Sequence, residues 1–290
     1  MSRESREPMS LDIDHLRSWI GRQEVLTDRV TAVPMEALSA TLDRDDPRPA
    51  VGDPLPPLWH WLYFLPIVRA SEIGPDGHPK RGGFLPPVPL PRRMWAGGRF
   101  TFHAPVGVDD TITRTSTVAD VTVKEGRAGA LCFVLVRHEV AGPNGPVLTE
   151  EHDIVYRDAP GPNEPPAKPR PAPDGAVWRR DIVPDDVLLF RYSALTFNSH
   201  RIHYDRRYVT TEEGYPGLIV HGPMIATLLV DLLRRNTSAP LRSFRFRAVS
   251  PLFDIAPFAV SGKPLEDGKV ALWASNQAGH LAMEAEAELG

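Results

Sequence analysis

Ile219-Val220-His221-Gly222-Pro223-Met224-Ile225-Ala226-Thr227-Leu228-Leu229-Val230-Asp231-Leu232-Leu233-Arg234-Arg235 is a strongly apolar stretch of this 290-residue chain. Met224, Ile225, Leu228, Leu229, Leu232 and Leu233 recur at helical spacing as a wide stripe, and Arg234-Arg235 suits the negative end of a helix dipole. After it the period drops to two. Phe244, Phe246 and Ala248 alternate with Arg245 and Arg247, and Leu281, Met283, Ala285, Ala287 and Leu289 alternate with Glu284, Glu286 and Glu288. The last run predicts a half-buried strand with one solvated acidic face. A long helix wrapped by a curved antiparallel sheet buries both apolar surfaces, so an α+β class is expected.

The same order, helices then strands, occurs upstream. Ser10 is a plausible N-cap for a helix carrying Ile13, Leu16, Trp19 and Ile20. Leu58–Leu65, bracketed by prolines, reads as a buried helix. Thr111–Val123, Ala130–Val140 and Val147–Tyr156, joined by Gly-containing turns, predict an antiparallel meander. Pro184-Asp185-Asp186 then starts a helix that continues to Leu195.

The chain holds 31 prolines beside an ordinary 22 glycines. Seven prolines fall within 158–175, which lacks any large apolar side chain and reads as a semi-rigid polyproline linker. It divides the chain into an N-terminal unit, 1–157, and a C-terminal unit, 176–290. A second cluster, Pro86 to Gly98, carries too few backbone donors for a ladder strand. Its prolines suit a rigid wall or lid over a site in the second unit.

A net charge of −4 and the lack of a basic tail argue against a phosphate-driven nucleic-acid binder. Cys132, the single cysteine, lies in an apolar run and excludes an intramolecular disulfide framework. Neither a leader-like apolar segment nor an 18-residue apolar run is visible, so a cytoplasmic protein without membrane contact is expected.

Polar side chains concentrate in Phe190-Arg191-Tyr192-Ser193-Ala194-Leu195-Thr196-Phe197-Asn198-Ser199-His200-Arg201-Ile202-His203-Tyr204-Asp205, and again at His221-Gly222 ahead of the long helix. Backbone N–H groups at a helix N-terminus can stabilise an oxyanion, and Gly222 allows close approach. His200 and His203 with Asp205 or His221 have the donor types for zinc, but cysteine ligands and an HExxH arrangement are missing, so no metal is expected. For His200 and Tyr204 taken singly, a capping role in a polar loop is the plainer reading.

These residues resemble the signature of the MaoC-like (R)-specific enoyl-CoA hydratases and dehydratases, a hot-dog-fold family: Asp-x-Asn-Pro-x-His, followed about twenty residues later by His-Gly. The terminal His falls on His203, the leading Asp on Asn198, Asn-Pro on His200-Arg201, and His-Gly on His221-Gly222. Phe190–Asp205, Gly214–Pro223 and Pro89-Leu90-Pro91-Arg92-Arg93-Met94-Trp95-Ala96-Gly97-Gly98 are most similar to the branch holding mesaconyl-C4-CoA and itaconyl-CoA hydratases and mitochondrial-type 3-hydroxyacyl-thioester dehydratases.

The resemblance implies a double hot dog, with a degenerate first unit and a catalytic second one. It implies hydration of an unsaturated acyl-CoA, with the CoA thioester as substrate and no cofactor. Asn198 cannot take a proton where the family's Asp can. His203 is therefore expected to act alone as acid and base, with Asn198 orienting water and the Gly222 N–H polarising the thioester. For a dicarboxylic substrate, Arg201, Arg92 and Arg93 are candidate carboxylate partners, Arg201 foremost, with Trp95 and His221 also on the substrate. Arg92 and Arg93 serve equally well as a solvated pair or a CoA phosphate contact. A fatty-acid-type dehydratase, a non-catalytic thioester binder and a thioesterase are the competing functions. A homodimer is expected, since hot dogs often pair their sheets.

Overall fold

A computed structural model describes residues 11–126, 129–158 and 168–290. Ten strands form a single sheet in the order β1 (Gln23–Arg29), β3 (Thr111–Gly126), β4 (Gly129–Gly142), β5 (Gly145–Arg157), β2 (Arg92–Phe102), β7 (Leu241–Ala248), β10 (Leu281–Leu289), β9 (Lys269–Asn276), β8 (Phe258–Pro264) and β6 (Trp178–Ile182). Every neighbouring pair is antiparallel. Five strands come from each side of the proline-rich 158–175 segment, and β1 and β6 end the sheet. The expected α+β class holds, and β3–β4–β5 form the expected meander.

The seam between the two sets is the β2·β7 ladder, Gly97 opposite Arg247 through to Thr101 opposite Ser243. Glycine is required there, because a Cβ on residue 97 would sit 2.7 Å from the Phe246 carbonyl oxygen. The 86–98 segment is therefore partly a ladder strand, contrary to expectation. The missing donors end at Pro91, and pairing begins at Arg92. Nor do the prolines form a lid. Val88 and Leu90 are buried with Leu16, Val134 and Tyr156, and the Arg81 guanidinium donates to the carbonyls of Val88, Leu90 and Pro91.

Helix α1 (Ile13–Arg17) is capped by Asp12, whose carboxylate accepts from the His15 N–H; Ser10, expected in that role, lies outside the described residues. Helix α2 (Ala32–Thr41) follows. Leu58–Leu65 forms only a 3₁₀ turn, Trp59–Leu62, although its side chains are buried as expected. Of the 158–175 segment, residues 159–167 lie outside the described set. Beyond them the Leu281 N–H donates to the Arg170 carbonyl and the Ala172 N–H to the Gly279 carbonyl, so this part of the expected semi-rigid linker pairs with the β9–β10 hairpin. Cys132 is fully buried, and burial pushes its thiol up to about 11.

In the second set, α3 (Asp186–Leu195) and α4 (Arg206–Thr211) lead to α5 (Gly222–Asn236), which packs on β8, β9, β10 and β6. Residues 224–233 of α5 are all buried, including Asp231, whose side chain is 0% exposed. Its carboxylate accepts from Arg44 beyond α2 (2.7 Å), Arg180 on β6 (3.0 Å) and Arg235 one turn on (2.8 Å). Arg180 and Arg235 also donate to the Leu42 carbonyl, closing a hub that ties α2, β6 and α5 together. Removing the shared anion strands three guanidinium groups. Asp231→Ala is expected to cost ~3–5 kcal/mol of unfolding free energy in urea titrations; a loss below about 1 kcal/mol, the value of a surface pair, would show the hub to be incidental.

Candidate active site

Helix α3 starts on Asp185, which accepts from the Leu188 N–H, and stops where Phe197 takes a left-handed conformation (φ 48°). That reversal sends the Asn198 N–H back to the Ser193 carbonyl and releases Asn198-Ser199-His200 as a polar loop. A 3₁₀ turn, Arg201–His203, follows. The Ile219 N–H donates to the Ile202 carbonyl, and His203 Nδ1 donates to the Ile219 carbonyl at 2.7 Å. These two bonds bring the loop against residues 219–222, where α5 begins.

The His203 and His221 rings stack with centroids 3.7 Å apart and planes 18° apart. His221 is fully buried. Its Nε2 lies 2.8 Å from the Ser193 hydroxyl, and its Nδ1 has no partner among the described residues. Burial lowers His203 to about 4 and His200 to about 2, and it holds His221 well below the ordinary imidazole range. All three rings are therefore neutral near pH 7. With its proton on Nδ1, His203 keeps the lone pair on Nε2, which makes no hydrogen bond among the described residues. Gly222 is the first residue of α5, so its N–H has no intrahelical acceptor, and nothing lies within 4 Å of the place a Cβ would occupy. The carbonyl oxygen of the Asn198 side chain accepts from the His200 N–H, leaving the NH₂ group to donate. The expected trio Asn198, His203 and Gly222 is thus gathered on two adjoining segments.

The arginines divide differently from expectation. Arg201 is committed: Nε and Nη2 bond Asp205, Nη1 bonds the Pro75 carbonyl, and the group stacks 4.1 Å from the Tyr208 ring centroid. Three of its five N–H donors are thus spent within the protein, which makes Arg201 an anchor of the loop and leaves it less available to a substrate carboxylate than an unengaged arginine. Arg92 is engaged likewise by Tyr215 and Glu213. Trp95 is packed within an aromatic group of Trp61, His152 and Phe246, and its N–H is spent on the Gly97 carbonyl, so it does not reach out toward the loop. Arg93 alone of these has no hydrogen bond or ion pair among the described residues, and its charge depresses His78 and His200. Asp205 is turned onto Arg201 and the Tyr208 N–H, away from the zinc set considered from sequence. Tyr204 binds the Ser199 carbonyl, the loop role expected of it.

Sequence reasoning passed over Asp76 and His78. The loop Gly74-Pro75-Asp76-Gly77-His78-Pro79 docks on the polar loop: the Arg201 N–H donates to the Asp76 carbonyl and the Ser199 hydroxyl to the Gly77 carbonyl. Gly77 (φ 91°) is so close that a Cβ would overlap the Ser199 carbonyl. His78 Nδ1 lies 3.1 Å from the Asp76 carboxylate, and its ring lies 3.9 Å from that of His200. Burial works to raise Asp76, but the hydrogen bond and charge of His78 hold it well below the carboxylate range. The one sequence signal was a Gly/Pro-rich turn bearing Asp and His without apolar residues.

Residues 58–254, which include both the 74–80 loop and the 198–222 segments, match the family described as hydroxyacyl-thioester dehydratase type 2. The chain is 47% identical over 275 residues to the mesaconyl-C(4)-CoA hydratase of Chloroflexus aurantiacus, covering 94% of this chain and 97% of that one. It is 25% identical over 269 residues to the mitochondrial hydroxyacyl-thioester dehydratase type 2 of Schizosaccharomyces pombe, covering 81% and 88%. A MaoC-like dehydratase from Phytophthora capsici has the same fold, with a TM-score of 0.71 at 14% identity over 97% and 98% of the two chains. With a MaoC-like hot-dog fold and a site spanned by that match, the chain belongs to the hydroxyacyl-thioester dehydratase type 2 family of hydro-lyases.

Proposed function

We propose that this protein hydrates an unsaturated acyl-CoA thioester whose acyl group is a short branched dicarboxylate of the mesaconyl-C4 type. The observation that carries the reading is a neutral His203, its Nδ1–H tied to Ile219 and its Nε2 unspent, on the segment that adjoins the open N-terminus of α5 at Gly222. In this scheme the Asn198 amide orients a water, and His203 Nε2 takes its proton as the oxygen bonds to the β-carbon. The displaced electron pair moves onto the thioester oxygen, where the Gly222 N–H stabilises it. The imidazolium then returns the proton to the α-carbon, so one water is added and His203 is restored. An amide at 198 cannot exchange protons, which leaves both transfers to His203.

The 47% relative supports hydration of a mesaconyl thioester, and the fission-yeast relative supports the reverse reaction on a 3-hydroxyacyl thioester at the same atoms. A panel of enoyl- and 3-hydroxyacyl-CoA substrates, followed by enoyl absorbance, separates the two. Arg93 is assigned to the distal carboxylate because it is the unengaged arginine beside the His78–His200 pair.

His203→Ala should lower kcat by ~10²–10⁴-fold while leaving the circular dichroism spectrum unchanged; near-normal turnover would remove His203 from the chemistry. In the wild type the base form is needed, so kcat/KM should stay level from pH 8 down and fall only as the pH drops through about 4. An acid limb at the ordinary imidazole value of ~6.5 would contradict the buried, neutral ring. The same shift sets an acid limit on stability. The unfolded chain binds these histidine protons first, so stability is complete above ~6.5 and declines below it, and the profile must be read on protein shown to be folded.

Gly222→Ala keeps the N–H and meets no protein atom, so the melting temperature should hold while kcat/KM drops on the order of 10²-fold through a displaced thioester. An unaffected rate would place the thioester elsewhere. Arg93→Met should raise KM about tenfold or more for mesaconyl-C4-CoA and leave crotonyl-CoA nearly unchanged. Equal effects on both substrates would mean that Arg93 serves the CoA moiety.

A further inference from the structure

The inner face of the first five strands carries an unexpected polar band. Directly opposed residues of an antiparallel pair share a face. Along β4 and β5 the pairs run Val134 with Ile154, Val136 with His152, His138 with Glu150, and Val140 with Leu148. Ser116 of β3 stands opposite His138. Val134, Val136 and Ile154 belong to one apolar cluster, and Val140, Leu148 and Phe100 belong to another. His138, Glu150, His152 and Ser116 lie between the two. An ionised carboxylate in such a wall is costly unless something compensates it.

Part of the compensation is visible. Glu150 is 3% exposed and is bonded by His60 Nε2 (2.9 Å) and Trp61 Nε1 (3.3 Å). Each carboxylate oxygen still keeps an acceptor site. His138 Nδ1 is held by the Ser116 hydroxyl at 2.7 Å, leaving Nε2 unspent, and His152, packed against Trp95 with the rings tilted by 37°, has no hydrogen bond among the described residues. One ligand atom from each of His138, Glu150 and His152 lies within 4.8 Å of the other two. Donors on a tetrahedral zinc at ~2.0–2.2 Å stand about 3.3–3.6 Å apart, so the three side chains would draw together by about an ångström on binding.

We propose that His138, Glu150 and His152 form a structural site for one divalent transition-metal ion of the zinc type, with Ser116, His60 and Trp61 orienting the ligands. Two imidazoles and one carboxylate favour such an ion over Mg²⁺ or Ca²⁺, and three protein ligands leave a position for water. The ion would clamp β4 to β5 in the set of strands that has no counterpart of α5 among the described residues. Arg114 lies within electrostatic reach of Glu150 and both rings, and Arg93 within reach of His152, which moderates the affinity. The site is independent of the proposed reaction.

The test uses the full chain, free of any affinity tag, stripped with a chelator and titrated with Zn²⁺ by calorimetry and with Co²⁺ by visible absorption. One ion per chain is expected, with Co²⁺ bands of a nitrogen- and oxygen-ligated centre and a Zn²⁺-dependent rise in melting temperature. His152→Leu and Glu150→Gln should abolish all three signals. His203→Ala and Asp76→Asn should preserve them, the latter testing the separate Asp76–His78–His200 group. Absence of saturable binding would overturn the proposal, as would binding that survives His152→Leu or is lost in Asp76→Asn. If Glu150→Gln does not fold, the volume-conserving His152→Leu decides the question alone.

Discussion

Gly97 to Thr101 of β2 pair with Arg247 to Ser243 of β7, and this short ladder makes one sheet out of two groups of five strands. Without it each group would expose one more open edge, β2 in one and β7 in the other. Because the groups are joined there, residues 74–80 lie over the polar loop after α3, and Arg44 reaches Asp231 on α5. The Gly97 backbone can take this position only because it carries no side chain. The site therefore depends on an N-terminal segment that supplies neither His203 nor Gly222.

Burial has two opposite effects on the histidines. It keeps His203 neutral and in one tautomer through the Ile219 carbonyl, so the Nε2 lone pair is present near neutral pH, although on a weaker base than an ordinary imidazole. It also places several imidazoles where protonation is resisted, which lowers stability in acid. The stacked His203 adds to the effect of burial at His221, since a charge on both rings at that distance would repel.

The alternating strands were legible because period and burial coincide in them, as where β10 places Leu281, Met283 and Ala287 inside; the long helix was legible from its apolar content, although residues 224–233 are buried all round and not only along the expected stripe. Asn198, His203 and Gly222 were singled out from a motif split over two short segments, 198–203 and 221–222, which the fold sets side by side. What failed depended on partners distant in sequence. Arg201 looked available until its acceptors, Pro75 and Asp205, were placed around it. Asp76 and His78 lie more than a hundred residues before the loop they support, with no period to mark them. The strand at Arg92 was hidden by the prolines just before it, because proline removes donors only at its own positions.

The sheet ends on short strands, β6 with five residues and β1 with seven. Both are dense in charge, Arg179, Arg180 and Asp181 on one and Glu24, Asp28 and Arg29 on the other. Short, charged borders resist the addition of a foreign strand. A second copy of this chain is thereby discouraged from prolonging the sheet end to end, which guards against open-ended fibrous stacking and leaves self-association, where it occurs, to surfaces other than the backbone ladder.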